Sequence, residues 1–270
     1  MEAMSTAVIM GLVEGLTEFL PVSSTGHLIL AGDALNFTGP KATTFSIAIQ
    51  FGAILAVIVL YWKRFIGLLK PVHTEKNQFS GIRGIIMLIL TSLPGALLGL
   101  LAGSAIKKWL FTPEAVAAAL LVGALLMLLA EWWTARHPHL IRCSSLDELT
   151  PKLALGVGLC QCAALWPGFS RSASTIMGGM LLGIRRDVAA EYSFLAAVPL
   201  LTGAAGYDIL KSLDLFSMAD ISFFVIGSIV AFLSAMLAIK TFIAMLGKMT
   251  LRPFAYYRIL LIIPVYLILC

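Results

Sequence analysis

The sequence predicts an all-α polytopic membrane protein, with six transmembrane helices and two re-entrant helical hairpins arranged as an inverted-topology repeat. Three observations predict it: an apolar composition, six uninterrupted apolar stretches of spanning length, and two longer apolar regions broken in the middle. The 270 residues are 60% hydrophobic and 12% charged, with a mean hydropathy of +0.97. A soluble domain carries about 25% charged residues, so a soluble globular class is excluded. The formal charge of +5 is explained by loop Lys and Arg once a topology is drawn, and it calls for no nucleic-acid partner.

The N-terminal stretch MEAMSTAVIM lacks the basic n-region of a cleaved signal peptide, so the first apolar segment is expected to be retained. Cys160 and Cys162 have no second pair at metal-ligand spacing and read as small buried hydrophobes.

Each predicted span covers about 30 Å of hydrocarbon. The six are approximately Phe45–Trp62, Ile85–Ile106, Glu114–Trp133, Val188–Leu210, Ile221–Ile239 and Phe254–Cys270. The two broken regions run from about Thr6 to Ala34 and from about Leu153 to Ile184. At about 1.5 Å per residue, neither half of such a region crosses a bilayer. Irregular backbone at that depth is tolerated only inside protein or beside a wet cavity. Both regions therefore read as hairpins that return to their own side.

Basic residues give the orientation. With six spans, one side holds fourteen: Lys63, Arg64, Lys70, Lys76, Arg83, Arg136, Arg142, Lys152, Arg185, Arg186, Lys240, Lys248, Arg252 and Arg258. The other side holds four: Lys41, Lys107, Lys108 and Lys211. The positive-inside rule makes the first side cytoplasmic and puts both termini outside. Arg171 stands apart as the only basic residue read as lying well inside a membrane segment.

A shift of 147 residues lays Gly11 on Gly158, Glu14 on Gln161, Phe19 on Trp166, Ser23 on Ser170 and Ser46 on Ser193. A shift of 140 lays Leu110–Val116 on Thr250–Tyr256. The chain thus reads as one integral membrane domain, 1–270, with halves of about 1–135 and 150–270 joined by a cytoplasmic loop. Each half is one hairpin and three spans. An odd number of spans inverts the second half, as in transporters whose broken helices meet near the midplane.

The chemistry sits at the breaks. Glu14 and Glu18 share one helix face. Burying both costs several kcal/mol unless a cation or proton faces them. The helix breaks at Pro21, and Ser23, Ser24, Thr25, Gly26 and His27 follow. The second break reads PGFSRSAST, Pro167 to Thr175, and places Arg171 among Ser170, Ser172, Ser174 and Thr175. A helix start there offers backbone N–H groups to an anion, and Arg adds a fork suited to phosphate. Joined, the tips form a pocket in which Glu14 and Glu18 can hold a divalent cation. Arg171 and the cradle can hold phosphate. Ser24 and His27, three apart, can form a nucleophile–base pair. The set suits metal-assisted cleavage of a phosphoanhydride.

EGLTEFLPVSSTGH together with PGFSRSAST, FSIAIQFGAILAV and the span bearing Pro199 resembles the undecaprenyl pyrophosphate phosphatases, the bacitracin-resistance family of bacterial inner membranes. The resemblance covers essentially the whole chain. It implies hydrolysis of a C55 isoprenyl pyrophosphate to the monophosphate, recycling the carrier lipid of peptidoglycan synthesis. It also implies dependence on Mg²⁺ or Ca²⁺, a multi-pass inner-membrane location and a site opening to the periplasm. The family's acidic motif falls on Glu14 and Glu18, and its Ser–Thr–Gly–His element on Ser24, Thr25, Gly26 and His27. Its phosphate motif falls on Pro167, Gly168, Ser170, Arg171, Ser172 and Thr175. Many members have Gly where this chain has Ala173.

Two mechanisms stay open at this level. Either Ser24 attacks phosphorus with His27 or Glu18 as base, or metal and carboxylate activate water and His27 protonates the leaving group. Ser23, Thr25, Gly26, Gly168, Ser170, Ser172 and Thr175 are the further candidates for phosphate contact. Gln161 reads as a structural amide and Gln50 as facing the pocket. A prenyl-phosphate flippase is the competing class, since the repeat is transporter architecture. Gly-rich segments such as Gly95–Gly103 can pack helices within or between protomers, so a homodimer is one arrangement.

Overall fold

The computed structural model describes residues 2–69, 79–110, 112–211, 220–246 and 249–269. Lys70, His73, Lys76, Lys248 and Cys270 lie outside the described residues. Within them the chain is helical, apart from short turns and an isolated β-bridge between Cys143 and Ile184. The helices are α1 (Glu2–Thr17), α2 (Ser24–Ala34), α3 (Pro40–Leu60), α4 (Trp62–Leu68), α5 (Gly81–Leu110) and α6 (Pro113–Arg136), then α7 (Pro151–Gln161), α8 (Arg171–Leu181), α9 (Arg186–Lys211), α10 (Ile221–Leu246) and α11 (Arg252–Leu269).

Five helices among the described residues are long and apolar enough to cross a membrane: Pro40–Leu60, Gly81–Ile106, Pro113–Arg136, Arg186–Asp208 and Ile221–Leu246. They match five of the six predicted spans, and the chain is a polytopic membrane protein. The last predicted span falls on α11, which is helical but is not among those five. The two broken regions form helix pairs, α1 with α2 and α7 with α8. At 11 residues each, α2, α7 and α8 reach about 16 Å, half of the hydrocarbon.

Local chemistry sets the helix starts. Thr112 and Thr150 accept bonds from Ala115 N and Leu153 N, and Pro113 and Pro151 occupy the first turns they cap. The helices after the breaks start differently. Ser23 and Ser170 cap α2 and α8 with φ of 74° and 78°, left-handed values that non-glycine residues adopt at a cost of about 1–2 kcal/mol.

Packing follows a matched scheme. α1 lies on α10 and α7 on α5; α3 lies on α10 and α9 on α5; α6 meets α11, and α3 meets α9. Small residues allow the close approaches. A Cβ on Gly15 would collide with the Ala231 carbonyl oxygen, and one on Gly158 would sit 2.6 Å from that of Thr91. At one end of the bundle the buried Glu131 carboxylate accepts from Arg186 and from the Leu251 backbone N–H, tying α6, α9 and the start of α11. Glu191 of α9 pairs with Arg64 of α4 at 3.7 Å.

Two expectations are corrected. The sequence reading places Arg258 among cytoplasmic loop charges and makes Arg171 the sole basic residue inside a membrane segment. Arg258 is 0% exposed and lies within α11, so thirteen basic residues (14 − 1) remain on the basic side against four. Cys160 and Cys162, expected to be buried, are free and only half-buried.

Gly15→Leu drives a side chain into α10, and overpacking of this kind costs about 1–3 kcal/mol. A Cβ on Gly103 would meet no atom within 4 Å, so that position tolerates the same change. Thermal unfolding in detergent should show a lower Tm for Gly15→Leu and an unshifted one for Gly103→Leu. Equal shifts would contradict this packing.

Candidate active site

Two residues 153 positions apart meet where the broken helices come together. Glu18 follows α1 directly, and Arg171 is the first residue of α8. Arg171 Nη2 donates to Glu18 Oε1 at 3.2 Å, and both side chains are nearly buried. The other carboxylate oxygen, Glu18 Oε2, accepts from Ser24 Oγ at 2.6 Å. Glu18 therefore joins a hydroxyl from the first region to a guanidinium from the second. Ser24 follows its cap Ser23 as Arg171 follows Ser170.

The rest of Arg171 is fixed from α9. Its Nη1 donates to the Ser193 carbonyl at 3.0 Å and to Ser193 Oγ at 3.2 Å. Thr175 Oγ1 is 2.6 Å from the same Ser193 hydroxyl. The guanidinium also lies over the Phe19 ring, 5.7 Å from its centroid. Arg171 Nε is buried with no acceptor among the described residues.

Glu14, one turn before Glu18 on α1, is 1% exposed, and its Oε1 has no hydrogen-bond partner among the described residues. It lines a cavity of about 420 Å³ with Ser24 and Thr25 of α2 and Ser46 and Gln50 of α3; Asp33 and Thr38 are also in the wall. An orphaned carboxylate oxygen, beside a largely apolar cavity whose wall also carries hydroxyls and the Gln50 amide, fits a hard divalent cation. Among the described residues no cluster of three or more His, Cys, Asp and Glu forms a metal site. A cation here would rest on Glu14, which lines the cavity, and reach Glu18 one turn away, with hydroxyls, waters or substrate oxygens completing its shell.

The predicted hydroxyls divide into two groups. Thr25 is exposed to the cavity. Ser23 Oγ accepts from Gly26 N and Ser170 Oγ from Ala173 N, as helix caps. Ser172 Oγ donates to the Leu20 carbonyl at 2.8 Å and so ties α8 to the first break. Gly168 has φ of 92° and is pressed against α6, where a Cβ would lie 2.7 Å from the Val116 carbonyl oxygen. The buried Gln161 donates to the Thr91 carbonyl at 3.0 Å.

Both ring nitrogens of His27 are engaged by partners other than Ser24's hydroxyl. Its Nδ1 is 2.7 Å from the Ser23 carbonyl oxygen, which only accepts, so Nδ1 carries the hydrogen. In that tautomer Nε2 accepts from Tyr257 Oη at 2.7 Å, and the two rings lie nearly parallel. Sequence reasoning missed three residues here: Ser193, Tyr257 and Arg258. Ser193 had a signal, since it is the 147-residue partner of Ser46, which lines the cavity.

Comparison with known proteins places the whole chain. A family model described as bacitracin resistance protein BacA matches residues 7–263, a range that takes in both breaks. A curated undecaprenyl-diphosphatase of Nitratidesulfovibrio vulgaris (strain Hildenborough) is 63% identical over 259 residues, covering 96% of each chain. One from Maridesulfovibrio salexigens is 62% identical over 261 residues, 97% of each chain. One from Lawsonia intracellularis is 55% identical over 268 residues, 99% of this chain and 98% of the relative. At that breadth and identity, this chain belongs to the bacitracin resistance protein BacA family.

Proposed function

We propose that this protein hydrolyses undecaprenyl diphosphate to undecaprenyl phosphate and inorganic phosphate, returning the carrier lipid of peptidoglycan synthesis and so conferring bacitracin resistance. The observation that carries this is the 63% identity, over 96% of the chain, to a protein named for that reaction. The residues around Glu18 are the chemical counterpart of it.

In the mechanism we favour, Ser24 Oγ attacks the terminal phosphorus and Glu18 Oε2 takes its proton across the existing 2.6 Å contact. The bond from that phosphorus to the bridging oxygen breaks, and its electron pair leaves on undecaprenyl phosphate. The departing undecaprenyl phosphate oxygen takes that proton from Glu18. Water then attacks the phosphoserine and gives Glu18 a proton, which passes to Ser24 Oγ as the Oγ–P bond breaks and inorganic phosphate departs. Protonating Glu18 weakens its hold on Arg171. The guanidinium is then free to follow the charge on the transferring phosphoryl oxygens. The N–H groups of the first turns of α2 and α8 have no intrahelical acceptors and add donors. Thr25 contacts phosphate from the cavity wall, beside Gly26. Ser23, Gly168, Ser170, Ser172 and Thr175 hold the cradle in shape. A divalent cation, Mg²⁺ or Ca²⁺, held by Glu14 and Glu18, would neutralise pyrophosphate charge. His27, engaged by Tyr257, orients the start of α2.

In the same reading the chain is one domain of six spans and two re-entrant hairpins, with halves of about 1–135 and 150–270 related by inversion. The paired packing of α1 on α10 with α7 on α5, and the shared left-handed caps Ser23 and Ser170, support that relation. The charge distribution supports a bacterial inner-membrane orientation with both termini and the cavity periplasmic.

Phosphate release from farnesyl or undecaprenyl diphosphate in detergent tests the function. Wild type should be active with Mg²⁺ or Ca²⁺ and silent in EDTA. Ser24→Ala and Arg171→Ala should each lose on the order of 10³-fold in kcat, as removal of a nucleophile or of transition-state charge does. Substantial activity in Ser24→Ala would make water the attacking group. No release by wild type from either substrate would overturn the phosphatase reading.

Tyr257→Phe removes one neutral hydrogen bond, about 1 kcal/mol or roughly fivefold. That loss should fall on kcat, with KM unchanged, and His27→Ala should cost more. A Tyr257→Phe enzyme with wild-type kcat would show that the contact is incidental.

A further inference from the structure

Arg258 is fully buried on α11, and among the described residues no carboxylate pairs with it. An uncompensated buried charge is costly unless every donor is satisfied. A guanidinium has five N–H hydrogens in a rigid planar fork. Here five carbonyl oxygens receive them. Nε donates to Leu120 at 3.3 Å; Nη2 donates to Ala119 and to Gly168, each at 3.1 Å; Nη1 donates to Phe169 at 2.8 Å and to Pro21 at 3.5 Å. One donor on Nε and two on each Nη account for all five. Helix α6 makes the room: a Cβ on Gly123 would collide with Nη2 and sit 2.8 Å from Cζ.

Three of the five acceptors fall at the two breaks. Pro21 lies two residues before Ser23, and Gly168 and Phe169 lead directly into Ser170. Those serines are the two left-handed caps, conformations that persist only where surroundings hold them. A trans peptide points its C=O and N–H in opposite directions, so fixing the Phe169 carbonyl also fixes the Ser170 N–H.

We propose that Arg258 is the positioning residue of the phosphate site. It is one side chain that grips both turns and keeps Ser24 and Arg171, the first residues of α2 and α8, aligned on Glu18. This rests on the reading of those turns as a phosphatase site. The Glu18–Arg171 contact is ill suited to the task, because it must loosen when phosphate arrives. The Arg258 clasp engages backbone alone and is indifferent to substrate. Lys, with three donors on one nitrogen, does not span five carbonyls.

The test uses full-length Arg258→Lys and Gly123→Ala in detergent, beside wild type and Ser24→Ala. Gly123→Ala keeps every hydrogen-bonding group but displaces the fork, so it decides if Arg258→Lys does not fold. Amide hydrogen exchange in peptides covering residues 18–24 and 166–172 is the readout that a general loss of stability would not move selectively. Both segments should exchange about tenfold faster together while the spans stay protected. On farnesyl diphosphate, kcat should fall about 10- to 100-fold, as misplacement of about 1 Å does, with KM within roughly threefold. Loosening of one turn only, exchange that rises everywhere, or wild-type exchange and kcat in Gly123→Ala would each overturn the clasp. An inactive wild type would fail the phosphatase reading instead, and the exchange result would still judge Arg258.

Discussion

A helix broken at membrane depth leaves up to four N–H groups and four carbonyls at each end with no partner and no bulk water to supply one. This chain breaks two helices and brings the breaks together, and much of its polar chemistry follows from that constraint. Serine caps take N–H groups at the start of α2 and α8. Ser172 takes the Leu20 carbonyl across the junction, and Arg258 takes those of Pro21, Gly168 and Phe169. The donors left over in each first turn are the ones an anion can use. The proposed phosphate site thus uses donors left over once these backbone groups at the breaks have found partners.

Charge follows the same constraint. Glu18 divides its two oxygens between Ser24 and Arg171, so the carboxylate is compensated while still holding a hydroxyl ready to lose a proton. Glu14 has no such neighbour at Oε1, although it is as deeply buried. The difference between two carboxylates one turn apart suits the roles proposed for them: Glu18 exchanges a proton with Ser24, and Glu14 keeps a free oxygen for the cation the two would share. Arg171 is likewise satisfied at both Nη atoms and orphaned at Nε.

Much of this was legible in the sequence, because membrane length, helix-breaking residues and polar residues among apolar ones are local signals. They located both breaks, five spans and the residues that meet at Glu18. Long-range satisfaction was not legible. Arg258 sits six residues after Arg252, near a span start, and reads locally as another loop charge; its acceptors lie 89 to 237 residues away on α6 and the two breaks. Ser24 and His27 were close enough in sequence to pair, but Nδ1 takes the carbonyl of the cap four residues earlier and turns the ring to α11. Nothing near Tyr257 announced that partner.

The proposed halves share a backbone device and differ in chemistry. The shift of 147 that lays Ser23 on Ser170 also lays Ser24 on Arg171, and Glu14 on Gln161. Each helix after a break thus opens, in the same position behind the same kind of cap, with a different reactive group: a hydroxyl on one side and a cation on the other. Behind them, the orphaned carboxylate of the first half is matched by an amide tied to the Thr91 carbonyl in the second. A symmetric carrier would keep equivalent groups on both sides of its midplane, so that the same ligand could be handed across. Here one half supplies the proposed nucleophile and the carboxylates, and the other supplies the counter-charge. That division suits a reaction that runs in one direction at one cavity.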